Sequence, residues 1–208
     1  LFLTLFTMFL FACKNEPKKT NDKLEEIIES GNKAQHEKVY TDAIKFNDAI
    51  VGLQAKVAVE LLKLNEIQEP EEFRYIISNS LKDQCKFALE TLEGIEFSGD
   101  DKGLKSAALD LFRFYNYEMI NNYIDLADLI DRSYKENISE SELDDINEEF
   151  TFIINEIGSI EQPLDLRFQQ AQSDFAKANG VVVSEDLNPL IKELKDIEGY
   201  EEYIEENY

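Results

Sequence analysis

Residues 39–64 read VYTDAIKFNDAIVGLQAKVAVELLKL. In this stretch Val39, Ala43, Phe46, Ile50, Leu53, Val57, Leu61 and Leu64 step by threes and fours. That spacing collects apolar side chains on one face of a helix with about 3.6 residues per turn. The stretch is therefore expected to be one long amphipathic helix, with its apolar face turned to a core.

The same period continues on both sides. Asp22 and Glu25 form a candidate capping box that opens a helix, with Gly31-Asn32 as a candidate interruption. Pro70 stands where a first-turn proline belongs, followed by Phe73, Ile77, Leu81, Ala88, Leu92 and Ile95. Ser98-Gly99-Asp100-Asp101-Lys102-Gly103 is a turn, and a third helix is expected over 104–134. Ser139 and Glu142 form a second capping box. The fourth helix after it carries Leu143, Ile146, Phe150, Ile153, Ile157, Ile160, Leu164, Ala171 and Phe175, and ends at Asn179-Gly180. Gly158 and Pro163 fall inside that pattern, so a kink or break is expected near Ser159.

At about 1.5 Å per residue the four segments would each span roughly 40–48 Å. Matched lengths and short links predict an all-α fold, an antiparallel up-down four-helix bundle. Val181-Val182-Val183 reads as a short extended run. Asn188 and Pro189 would cap an additional short C-terminal helix with Leu190, Ile191, Leu194 and Ile197, before an acidic tail bearing Tyr200, Tyr203 and Tyr208. The helical domain is thus placed at 22–208, and no strand pattern is long enough for a sheet.

Composition agrees with helix: Gly and Pro number only 8 and 4. Acidic residues outnumber basic ones by 44 to 21, for a formal net charge of −23. Such a chain is repelled by phosphate backbones and anionic head groups, which removes nucleic acid from the expected partners.

The first twelve residues, LFLTLFTMFLFA, carry no charge and are followed at once by Cys13 and Lys14. This run is too short to cross a bilayer as a helix, which takes about 20 residues, and it suits a signal-peptide apolar region of roughly 7–15. Leu10-Phe11-Ala12-Cys13 resembles the lipobox of bacterial lipoproteins, with Phe11 departing from the small or β-branched residue usual there. The resemblance implies cleavage after residues 1–12 and acylation of Cys13, whose thiolate is the nucleophile. It also implies anchoring to a membrane through lipid, with 13–21 as a flexible tether. Since the sequence begins at Leu1, a short basic leader is expected ahead of it. Lys14 differs from the aspartate associated with inner-membrane retention, which favours the outer membrane.

Motifs of catalysis are missing. The one histidine, His36, has Lys33 and Val39 three residues to either side, so no Glu-x-x-His metal pair exists, and His36 is expected on the surface. No phosphate loop, Cys-x-x-Cys pair or hydrolase nucleophile signature occurs. Neither a cofactor nor a metal is expected, and carboxylate pairs are too abundant to single any out. Cys85 lies among apolar residues and is expected to be a buried, inert thiol.

The third helix stands above this background. Phe112, Tyr115, Met119 and Tyr123 share one face while Phe114, Tyr117, Ile120 and Ile124 lie broadly on the other, so the helix is apolar nearly all round. Either residues from Val181 onward fold back over the second face, or Phe114, Tyr117, Ile120 and Ile124 line a groove for a protein or a small apolar ligand.

With the lipobox, tether, four helices and the ending FQQAQSDFAK at 168–177, the chain resembles a family of small helical surface lipoproteins of Gram-negative bacteria. That resemblance implies an envelope location and an all-helical fold, and it carries over no catalytic residue. The expected function is a non-catalytic envelope binding module, with a structural or self-assembling envelope component as the alternative.

Overall fold

A computed structural model describes residues 20–64, 67, 69–135 and 137–181. The expected run at 181–183 is described only at Val181. The lipobox, Cys13, the short helix after Asn188 and the tail all lie outside the described residues.

The described chain is almost wholly helical, in five rods. They are α1 (Thr20–Ala34), α2 (Ala43–Lys63), α3 (Pro70–Tyr75) continuing into α4 (Lys82–Gly94), α5 (Leu104–Arg113) continuing into α6 (Ile120–Ser133), and α7 (Glu140–Asn179). Two wide π-helical segments, Ile76–Leu81 and Phe114–Met119, join α3 to α4 and α5 to α6. Among the described residues the only extended pairing is between β1 (Val39–Tyr40) and β2 (Glu96–Phe97), two residues each and parallel.

Sequence chemistry accounts for most helix ends. Asp42 caps α2, its carboxylate accepting from the Ile44 and Lys45 amides at 2.9 and 3.3 Å. Pro70 occupies the first turn of α3. The capping box at the start of α7 is complete: the Ser139 hydroxyl accepts from the Glu142 amide while the Glu142 carboxylate accepts from the Ser139 amide. Gly180 closes α7 in the left-handed conformation, φ 67°, which costs a glycine little.

Four expectations need correcting. Val39 does not belong to the helix expected over 39–64; Asp42 starts that helix at Ala43, and Val39 sits in the strand pair, 59% exposed. Gly31-Asn32 does not interrupt the first helix, which begins at Thr20, so Asp22 lies within its first turn instead of capping it. α7 is not broken near Ser159, because side chains on both sides of Pro163 are buried against the same core, offsetting one missing hydrogen bond. Lastly, the rods are unequal: α2 has 21 residues and α7 has 40, about 32 against 60 Å.

The core runs through all rods. Phe46, Ile50, Leu53 and Val57 of α2 meet Ile77, Leu81, Ala88 and Leu92 from the next rod. Leu111, Phe112 and Tyr115 are contributed by the rod of α5 and α6, Ile157, Phe168 and Phe175 by α7. Cys85 is buried here, and its thiol is pushed up to about 12 by burial, which leaves it protonated and inert as expected. His36 is exposed.

Candidate functional site

The expected groove residues separate. Phe114 and Tyr117 lie on the π-helical segment and line an open groove together with Asp110, Arg113 and Glu118 from the same rod and Ile160, Pro163 and Leu164 from α7. Its volume is about 430 Å³. Tyr117 is 60% exposed and Phe114 is buried, so one forms a rim and the other a wall. Ile120 is buried in the core and Ile124 is partly buried against it, and neither reaches the groove. The third helix therefore spends its second apolar face partly on the core and partly on this opening. A π-helical turn at the wall is a feature often found where helices carry function.

Charges frame the groove. The Arg167 guanidinium donates to Asp110 at 2.6 Å, and Arg113 lies 3.7 Å from Asp110 and 3.8 Å from Glu93. These groups are half exposed, so the pairs contribute orientation more than stability.

Directly behind the wall lies a group that sequence patterns did not reveal. Glu161, between groove-lining Ile160 and Leu164 in the chain, turns inward and is only 6% exposed. Burial, followed by the nearby charge of Asp165, raises its carboxyl to about 8, while the Tyr115 hydroxyl beside it acts in the opposite direction. Tyr115 is fully buried, and its hydroxyl is held well above the usual range by burial and then by Glu161 and Asp165. Tyr123 of α6 is likewise raised, by burial first and Glu161 second. Asp165 is raised to about 6 by burial, offset by a hydrogen bond from Gln169 at 2.7 Å. Gln54 of α2 is wholly buried and turns its amide toward the Tyr115 hydroxyl.

The available signal was an acid at a position where the apolar period calls for a hydrophobe, four residues after Ile157 and seven before Phe168. Asp48 is a third raised carboxyl, about 6, chiefly from burial. It lies on α2 beside Asn47, whose side-chain oxygen accepts from Gln172 of α7 at 2.7 Å inside the core.

Among the described residues no group of three or more metal-binding side chains comes together. No helix there is long and apolar enough to cross a membrane. Comparison with known protein families, with characterised proteins and with solved structures finds no match.

Proposed function

We propose that this chain is a non-catalytic lipoprotein of the bacterial envelope, held at the outer membrane through lipid on Cys13, whose helical domain binds a small apolar ligand. The observation that carries the binding reading is the groove between Phe114 and Leu164. Its volume of about 430 Å³ falls in the range of small-molecule sites, about 300–1,000 Å³, and Phe114, Ile160, Pro163 and Leu164 give it an apolar surface beside the charged Asp110, Arg113 and Glu118. A protein partner needs about 800 Å² of contact on each side, far more than this crevice offers.

An up-down path of the four longer rods fits the contacts. The strand pair brings the start of α2 beside the end of α4. Arg74 of α3 donates to Asp128 and Asp131 near the end of α6. Arg167, late in α7, reaches Asp110 in α5.

Titration with a fluorescent anilinonaphthalene probe tests the groove. The wild-type chain should bind the probe, and Leu164→Asp should weaken binding by at least tenfold, since it replaces about 1.5–3 kcal/mol of apolar burial with a charge. Equal affinity in both chains would remove the groove as the site. For the anchor, cells given labelled palmitate should label the protein at Cys13. Label persisting in a Cys13→Ala variant would refute that assignment.

The structural alternative draws on Phe152 and Leu166, exposed on α7 and returned by their spacing to within about 40° of each other around the helix. Self-crosslinking abolished by changing both residues to serine would favour it.

A further inference from the structure

We propose that Glu161 is a proton-operated latch on the groove: its neutral carboxyl, seated behind the wall against Tyr115, keeps Ile160 and Leu164 in place, and its ionisation releases them. The inference rests on reading the groove as the ligand site, and it concerns how that site is controlled.

Three observations meet at one turn of α7. Ile160, Pro163 and Leu164 line the groove, and Glu161, in the same turn, points the other way into the interior. Pro163 has no amide hydrogen to give the Ser159 carbonyl, so the helix is weakest where the wall is built. Among the described residues, the surroundings of Glu161 supply no counter-ion. The 114–119 segment contributes Tyr115, α6 contributes Tyr123, α7 itself contributes Asp165, and α2 presents the neutral amide of Gln54 to Tyr115. Cys85 of α4 stands beyond Tyr123 with its thiol protonated. Every one of these groups is neutral or anionic.

A carboxylate formed there would face only the neutral Tyr115 hydroxyl and no opposite charge, so it has to acquire water or a counter-ion, because a buried charge without one is among the costliest groups a core can hold. The proline turn is the nearest part of the wall able to yield, and opening it would bring water to Glu161 while displacing Ile160 and Leu164. Since burial holds the carboxyl up at about 8, the proton stays largely in place in acidic and neutral solution and is lost as pH rises through that value. The latched state therefore predominates below pH 7 and fades in mild alkali.

The full chain and Glu161→Gln, which keeps the shape and removes the titration, provide the comparison. Above pH 8 the wild-type affinity for the anilinonaphthalene probe should fall by up to tenfold per pH unit, the slope for one linked proton, while that of Glu161→Gln stays flat. Amide exchange at 157–165, corrected for its intrinsic pH dependence, should lose protection in the wild type and keep it in the variant. The carbon-13 resonance of the Glu161 carboxyl should titrate with a midpoint near 8.

A carboxyl midpoint below 5, or identical pH profiles in the two chains, would overturn the latch. If Glu161→Gln does not fold, the wild-type titration and exchange still decide. Failure of the probe to bind at any pH would count against the groove alone, because those two measurements do not involve the ligand.

Discussion

Phe46→Ala is expected to destabilise the domain by about 3–5 kcal/mol, a large part of the roughly 5–15 kcal/mol that holds an ordinary domain together. Phe46 is completely buried and is the hub of an aromatic cluster. Its ring centroid lies 5.8 Å from Tyr40 of β1, 5.2 Å from Phe97 of β2 and 5.8 Å from Phe175 near the end of α7. Removing the ring leaves a cavity and also breaks three ring contacts, each adding about 0.5–1.5 kcal/mol to simple burial. The melting temperature should drop by about 10 °C or more. Phe46→Leu, which retains most of the volume, should cost clearly less. A shift below about 2 °C for the alanine variant would mean that the strand pair and the end of α7 do not meet on α2.

Gly52→Val is expected to unseat α1. A Cβ on Gly52 would strike the carbonyl oxygen of Ile27 and the backbone of Gly31, and one on Gly31 would come within 2.6 Å of the Gly52 carbonyl carbon. The clashing atoms are backbone and cannot rotate aside. In a free helix, replacing glycine with alanine gains about 0.5–1 kcal/mol. Here overpacking reverses the sign, at about 1–3 kcal/mol or more. The polar ties of α1, such as the hydrogen bond from Lys56 to Asn32 at 2.7 Å, are exposed and contribute little, and its apolar contacts through Ile27, Ile28 and Ala34 depend on the same close crossing. Amide protection in α1 should be lost while α4 to α7 keep theirs. A Gly52→Val chain with unchanged protection in α1 would contradict the close crossing.

That crossing also shows why part of the fold was legible in the sequence and part was not. Gly31 reads as a helix breaker in isolation, and only a partner glycine far along the chain makes it a contact. Local chemistry, by contrast, wrote itself plainly: the Ser139 capping box, Pro70 and Gly180 are where they were expected. The buried rows are legible too, and they hold a further feature. Phe73, Ile77, Leu81 and Cys85 step strictly by fours, as do Leu111, Tyr115, Met119 and Tyr123. In an α-helix each such step drifts about 40° around the axis. A wide π-helical turn takes up that drift, and each run contains one.

At the site, Phe114 and Tyr117 were found from aromatic periodicity, while Ile120 and Ile124 were misplaced because the wide turn rotates everything after it. Glu161 is one of 44 acids, and its burial depends on α7 packing against the α5–α6 rod, which no local pattern records.

Binding of a ligand by this domain requires the groove to be open in the free protein. Nitration of the full chain with tetranitromethane, read residue by residue, measures this directly. Tyr117 should react about as fast as the exposed Tyr75 and Tyr134, and far faster than buried Tyr115. Tyr117 as protected as Tyr115 would contradict the account, for it would mean that another part of the chain or a second copy already fills the groove.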